Sequence, residues 1–93
     1  MKAPKKTRNT TERAKNSRSH KDHFLILYND DEHSIDYVVN SLITICGHNP
    51  EQALQCTLII HNMKSYEVKK GSLSFLTPMK KAFSAKQLKA TIK

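Results

Sequence analysis

The apolar and polar positions along the chain divide into six segments. The run His23-Phe24-Leu25-Ile26-Leu27-Tyr28 is apolar, rich in aromatic and branched side chains, and stopped by Asn29-Asp30-Asp31. A helix would need more length, so a buried central strand is expected here. Ile35, Val38, Val39, Leu42, Ile43 and Cys46 then recur at spacings of three and four, the apolar face of an amphipathic helix. Ser34 stands where the helix needs an N-cap, and Gly47 where a left-handed C-cap is wanted. Asn49-Pro50-Glu51-Gln52 reads as a second helix start, with an Asn cap, Pro at the first helical position and Gln placed to complete a capping box. This helix carries Ala53, Leu54, Cys56, Thr57, Leu58, Ile60 and His61 and is expected to run to about Met63.

Tyr66 and Val68 alternate with polar residues, which predicts a short strand ending near Gly71. The third helix has two possible starts. Either Ser72 caps it and Pro78 bends it, or Thr77 caps it with Pro78 at its first position. Met79, Ala82 and Phe83 form its apolar face in both cases. Leu88, Ala90 and Ile92 alternate again, so the chain ends in a strand. The order β-α-α-β-α-β in so short a chain predicts an α+β fold, a two-layer sandwich of a three-stranded sheet with three helices on one face.

Charge divides the chain differently. The net charge is +8, but eight of the 16 Lys and Arg residues lie in residues 1–22, opposed there only by Glu12 and Asp22. Most of the positive charge therefore belongs to this arm, which has no apolar residue larger than Ala after Met1 and cannot offset the entropy of ordering itself. Residues 1–22 are expected to be a disordered basic arm, and residues 23–93 the domain. The longest apolar run is far too short to span a bilayer, and the basic start continues into more polar residues, so neither a membrane span nor a secretory signal is expected. Two cysteines, Cys46 and Cys56, make no CxxC pair and no disulfide framework; both fall on apolar faces and are expected as buried small hydrophobes in a reducing cytoplasm. His33, His48, His61 and the cysteines contain no short ligand pair, so no metal or other cofactor is expected. No nucleophile elbow or Gly-rich phosphate loop accompanies the Ser, His and Cys residues. By themselves, Asn29-Asp30-Asp31 is ordinary turn chemistry and His61 an ordinary structural or surface histidine, while His33 and His48 beside their turns are expected at the surface.

The combination is less ordinary. Leu27-Tyr28-Asn29-Asp30-Asp31 between a strand and a helix resembles the "(L/V)-x-N-D-D" signature of the ClpS adaptor family. Thr57-Leu58-Ile59-Ile60-His61-Asn62 resembles the family's second helix, which closes on a hydrophobic residue followed by His. The spacing between the two features matches without a gap, and the resemblance covers residues 23–93. It implies the ClpS fold, similar to the C-terminal domain of the ribosomal stalk protein. It also implies an adaptor and not an enzyme: one that binds proteins with a bulky hydrophobic N-terminal residue (an N-degron) and delivers them to the N-terminal domain of a Clp-family AAA+ unfoldase.

On this resemblance Asn29, Asp30 and His61 would take the α-amino group. Such a group is a cation with three donors, matched by a carboxylate, a carbonyl oxygen and an unprotonated ring nitrogen. Leu27, Ile35, Val38, Thr57 and Ile60 would line the cavity for the degron side chain, with Asp31 and His33 at its rim. His33-Ser34-Ile35 stands where bacterial relatives commonly have Thr-Pro-Met, and Thr57 where Met is common. No oligomer is implied, and a monomer is expected. The alternatives are nucleic-acid binding through the basic arm, which lacks the interleaved aromatics that stack bases, or a protein-interaction scaffold without a pocket. Nucleic acid and membrane are not expected partners.

Overall fold

Both faces of the run from His23 to Tyr28 are apolar, which suits it to the middle of a sheet. The computed structural model, which describes residues 22–93, places this strand (β1, His23–Tyr28) between β2 (Ser65–Gly71) and β3 (Ala90–Ile92), both antiparallel to it. Three helices complete the chain, α1 (Ile35–Cys46), α2 (Pro50–Met63) and α3 (Leu73–Ala85), in the expected order β-α-α-β-α-β. The proposed basic arm lies, but for Asp22, outside the described residues. Among the described residues no helix is long and apolar enough to cross a membrane.

Side-chain caps set the helix ends. Ser34 Oγ accepts from the Tyr37 N–H at 3.1 Å to open α1, and Gly47 closes it at φ 74°, its N–H donating to the Ile43 carbonyl. Asn49 Oδ1 accepts from the Gln52 N–H at 2.8 Å to open α2 over Pro50. Of the two possible starts for α3, the first is adopted. Ser72 is the cap, and Pro78 sits inside the helix, where it has no N–H for the Ser74 carbonyl. Burial explains the choice. The turn before Pro78 carries Leu76, which is fully buried, while the Thr77 hydroxyl donates back to the Leu73 carbonyl at 2.7 Å instead of capping.

Register follows from the pairing of Tyr28 with Ser65 and of Leu25 with Ile92. Between Leu25 and Ile26 the β2 ladder skips Val68, a bulge that leaves this residue unpaired on the edge strand. Val68 is buried in the core, whereas Tyr66, two residues earlier, stays exposed. Leu25 and Leu27 meet Leu42 of α1, Leu76 and Phe83 of α3, and Leu88 in one cluster. Cys46 and Cys56 are buried in it as expected, and burial pushes the Cys46 thiol up to about 11 and the Cys56 thiol in the same direction. Both are kept as unreactive thiols.

His48 corrects the expectation of a surface residue, since it is only 7 % exposed. It directly follows the left-handed cap Gly47, and its N–H bonds the Leu42 carbonyl at 3.4 Å, which turns the chain back over the core. Its ring Nε2 finds no hydrogen-bond partner among the described residues. Burial first, then the positive charge of Lys69, lowers its pKa against an opposing pull from the Val68 backbone. The native state therefore binds fewer protons than the unfolded chain below the ordinary histidine value of 6.5. Stability should be flat in pH just above that value and fall as pH drops through it. In urea titrations from pH 5 to 8 the wild type should show this loss, and His48→Leu should flatten it. An unchanged slope in the variant would place the acid sensitivity elsewhere.

Candidate functional site

The end of β1 and the end of α2 are tied together through the backbone. Lys64 closes α2 in the left-handed conformation at φ 77°, its N–H donating to the Ile60 carbonyl. Its own carbonyl accepts from the Asn29 N–H at 2.8 Å. His61, in the last turn of α2, is thereby held beside the loop that follows β1. The N-terminus of α1, capped by Ser34, closes the third side.

These elements enclose a cleft of about 320 Å³, counting its open mouth. Asn29, Asp30 and His61 line it, as do Ile35, Val38, Thr57 and Ile60, with His33 among them. Eight of the ten candidate residues from the sequence are thus brought together. Two are not. Leu27 is fully buried in the core, because strand alternation directs it, like Leu25, toward the helices. Asp31 is exposed outside the cleft, where its Oδ1 accepts from Asn29 Nδ2 at 3.3 Å. This contact occupies an Asn29 donor and leaves the amide oxygen as its free acceptor. Asp31 thus bonds the Asn29 side chain beside the cleft and does not line it.

Sequence reasoning missed two lining residues, Tyr28 and Ser34. Tyr28 ends the strand and its hydroxyl bonds Thr91 Oγ1 at 3.1 Å, while Ser34 is occupied as the α1 cap. Adjacency to Asn29 in one case and to Ile35 in the other was the only available signal.

Asp30 is the most constrained polar group of the cleft. Oδ1 accepts from the Glu32 N–H at 2.7 Å, and Oδ2 faces His33 Nδ1 at 2.5 Å. The Glu32 bond first, then the His33 bond, hold its carboxyl below the usual carboxylate range, so it is an anion at neutral pH. The wall opposite is apolar in effect. Thr57 is buried and its hydroxyl donates to the Ala53 carbonyl at 2.8 Å, so its donor is spent inside α2. Ile35 is 45 % exposed, an apolar side chain at the mouth with surface left to bury. An anion, an amide oxygen and an imidazole next to an apolar wall suit a ligand that joins a cation to an apolar group. Among the described residues no group of three or more His, Cys, Asp or Glu is placed to hold a metal ion.

The fold is that of a small adaptor domain. A family model described as ATP-dependent Clp protease adaptor protein ClpS matches residues 18–91, and the chain belongs to this family, one of adaptors and not of enzymes. Among solved structures, Agrobacterium tumefaciens ClpS2 bound to L-phenylalaninamide matches with a TM-score of 0.73 at 18 % identity, covering 78 % of this chain and 95 % of that one. At that identity the match shows a shared fold. Among curated proteins no match is found.

The left-handed Lys64 bears on both stability and the cleft. A side chain at φ 77° carries a steric cost that glycine does not. Lys64→Gly should therefore raise unfolding stability by about 0.5–1 kcal/mol in urea. A loss of stability would show that the lysine side chain contributes more than its backbone conformation costs.

Proposed function

We propose that this protein is an N-degron adaptor whose cleft takes the N-terminal residue of a protein beginning with a bulky apolar side chain. The observation that carries the reading is the shared lining of one cleft by Asn29, Asp30 and His61 on one side and Ile35, Val38, Thr57 and Ile60 on the other. An N-terminal Leu or Phe has matching parts, an α-ammonium and an apolar side chain one bond apart from the same carbon. Phenylalaninamide, the ligand of the Agrobacterium protein, has both.

In this reading the ammonium sits at the polar corner, donating to Asp30, to the Asn29 amide oxygen and to a ring nitrogen of His61. Each hydrogen bond between a charged and a polar group contributes about 1.5–3 kcal/mol. The side chain enters against Val38, Thr57 and Ile60 under Ile35, and burying it adds roughly 1.5–3 kcal/mol. The polar corner selects for a free N-terminus and the apolar wall selects among residues. Nothing in this chemistry breaks a bond. The bound protein is then handed to a Clp-family AAA+ unfoldase in the cytoplasm, a reading supported in general terms by the family description, which names the Clp protease.

Fluorescence anisotropy tests the reading with labelled peptides that differ only at the first residue. Free Phe or Leu should bind, acetylated Leu weakly or not at all, and free Met ranks the apolar wall's choice among side chains. Asp30→Asn, which keeps shape and removes charge, should weaken binding of free Leu by about 10- to 100-fold. Equal binding of free and acetylated peptides would leave a scaffold role in place of the adaptor one.

A further inference from the structure

Resting on the adaptor reading, we propose that His33 is a positioning residue that makes occupancy of the cleft pH-dependent, because its protonated ring competes with the ligand's α-ammonium for the Asp30 carboxylate. The geometry begins with the contact of His33 Nδ1 and Asp30 Oδ2 at 2.5 Å, between side chains that are 18 % and 19 % exposed. Asp30 Oδ1 is already taken by the Glu32 N–H, so both oxygens have a partner before any ligand arrives. A neutral His33 with its proton on Nδ1 donates to the carboxylate, fixes its rotation and leaves its charge in place. A protonated His33 makes the same contact but cancels that charge. The ammonium then meets a neutral pair instead of an anion.

The ring has little freedom to move away. It stacks on Tyr37 with centroids 4.5 Å apart and planes inclined by 18°. Tyr37 is fixed in turn, since its hydroxyl donates to the Lys86 carbonyl at 2.9 Å. The titratable and charged groups around His33 come from several elements. Asp30 lies in its own loop, Tyr37 on α1 and His61 on α2 along the same cleft. Lys86 follows α3, its Nζ 5.4 Å from the Tyr37 ring centre. Asp31, Glu32 and Asp36 are exposed neighbours in the chain. An imidazole ordinarily changes charge between about pH 5 and 8.

The test is the affinity of the full chain for a labelled free-Leu peptide from pH 5.5 to 8.5, in the wild type, His33→Asn and His33→Gln. Both variants can retain a donor toward Asp30 but cannot become cations. Titration of the peptide's amino group is common to all three proteins and cancels in the comparison. At pH 5.5 the variants should bind about tenfold more tightly than the wild type, the size expected for one charge-assisted contact, and the difference should shrink toward pH 8.5. A purely structural His33 would give variants that are weaker at every pH. Parallel pH profiles would overturn the proposal while leaving the adaptor reading intact, and absence of free-Leu binding by the wild type and both variants at pH 7, where the peptide's amino group is still mostly an ammonium, would overturn both.

Discussion

The central position of β1 is the constraint on which the rest depends. A strand that pairs on both edges uses its backbone groups in two ladders, and the loop that leaves it must emerge between the ends of its neighbours. Here the pairing of Tyr28 with Ser65 puts the start of β2, and the end of α2 just before it, beside Asn29. The Asn29 N–H reaches the Lys64 carbonyl because the sheet ladder has brought the two together. His61 lies three residues before Lys64, so the sheet register places a histidine from one helix next to an Asn-Asp pair from a distant loop. No contact between the three side chains is needed to assemble them.

The loop itself is held by polar bonds made within a few residues. Asp30 accepts from Glu32 and His33, Asn29 donates to Asp31, and Ser34 caps α1. Such a loop keeps its shape without a ligand, which lowers the ordering cost that binding would otherwise carry. The same bonds limit the acceptor capacity left over. An ionised carboxylate has about four lone-pair sites, and Asp30 has committed two of them. Preorganisation and competition are therefore consequences of one arrangement.

Much of this was legible in the sequence, for reasons that differ by residue. Element order and helix starts could be read because Ser34, Gly47, Asn49-Pro50 and the apolar spacing act locally. The start of α3 could not, since Pro78 satisfies a local rule for a first-turn residue while the burial of Leu76 decides the matter from across the core. Leu27 was misassigned to the cleft because adjacency along a strand does not mean a shared face. His48 follows a turn and yet is buried, as the chain reverses over the core there. For Asp31 and His33 the sequence places them near the mouth, but the individual hydrogen bonds that give each its task depend on loop geometry that spacing does not encode.

The cleft also divides its residues into two physical kinds. Val38, Thr57 and Ile60 are buried, and Val38 and Ile60 pack in the same cluster as Leu25 and Leu42. Asn29, Asp30, Ile35 and His61 belong to the loop or to exposed helix faces and contribute little to that cluster. A change in the floor thus alters core packing and cleft shape together, since cavities and overpacking each cost stability. A change at the mouth acts on the cleft with little effect on the core. In a domain this small, with one core to share, the mouth is where the site can vary at low cost to the fold. Ile35 and His33 both lie there.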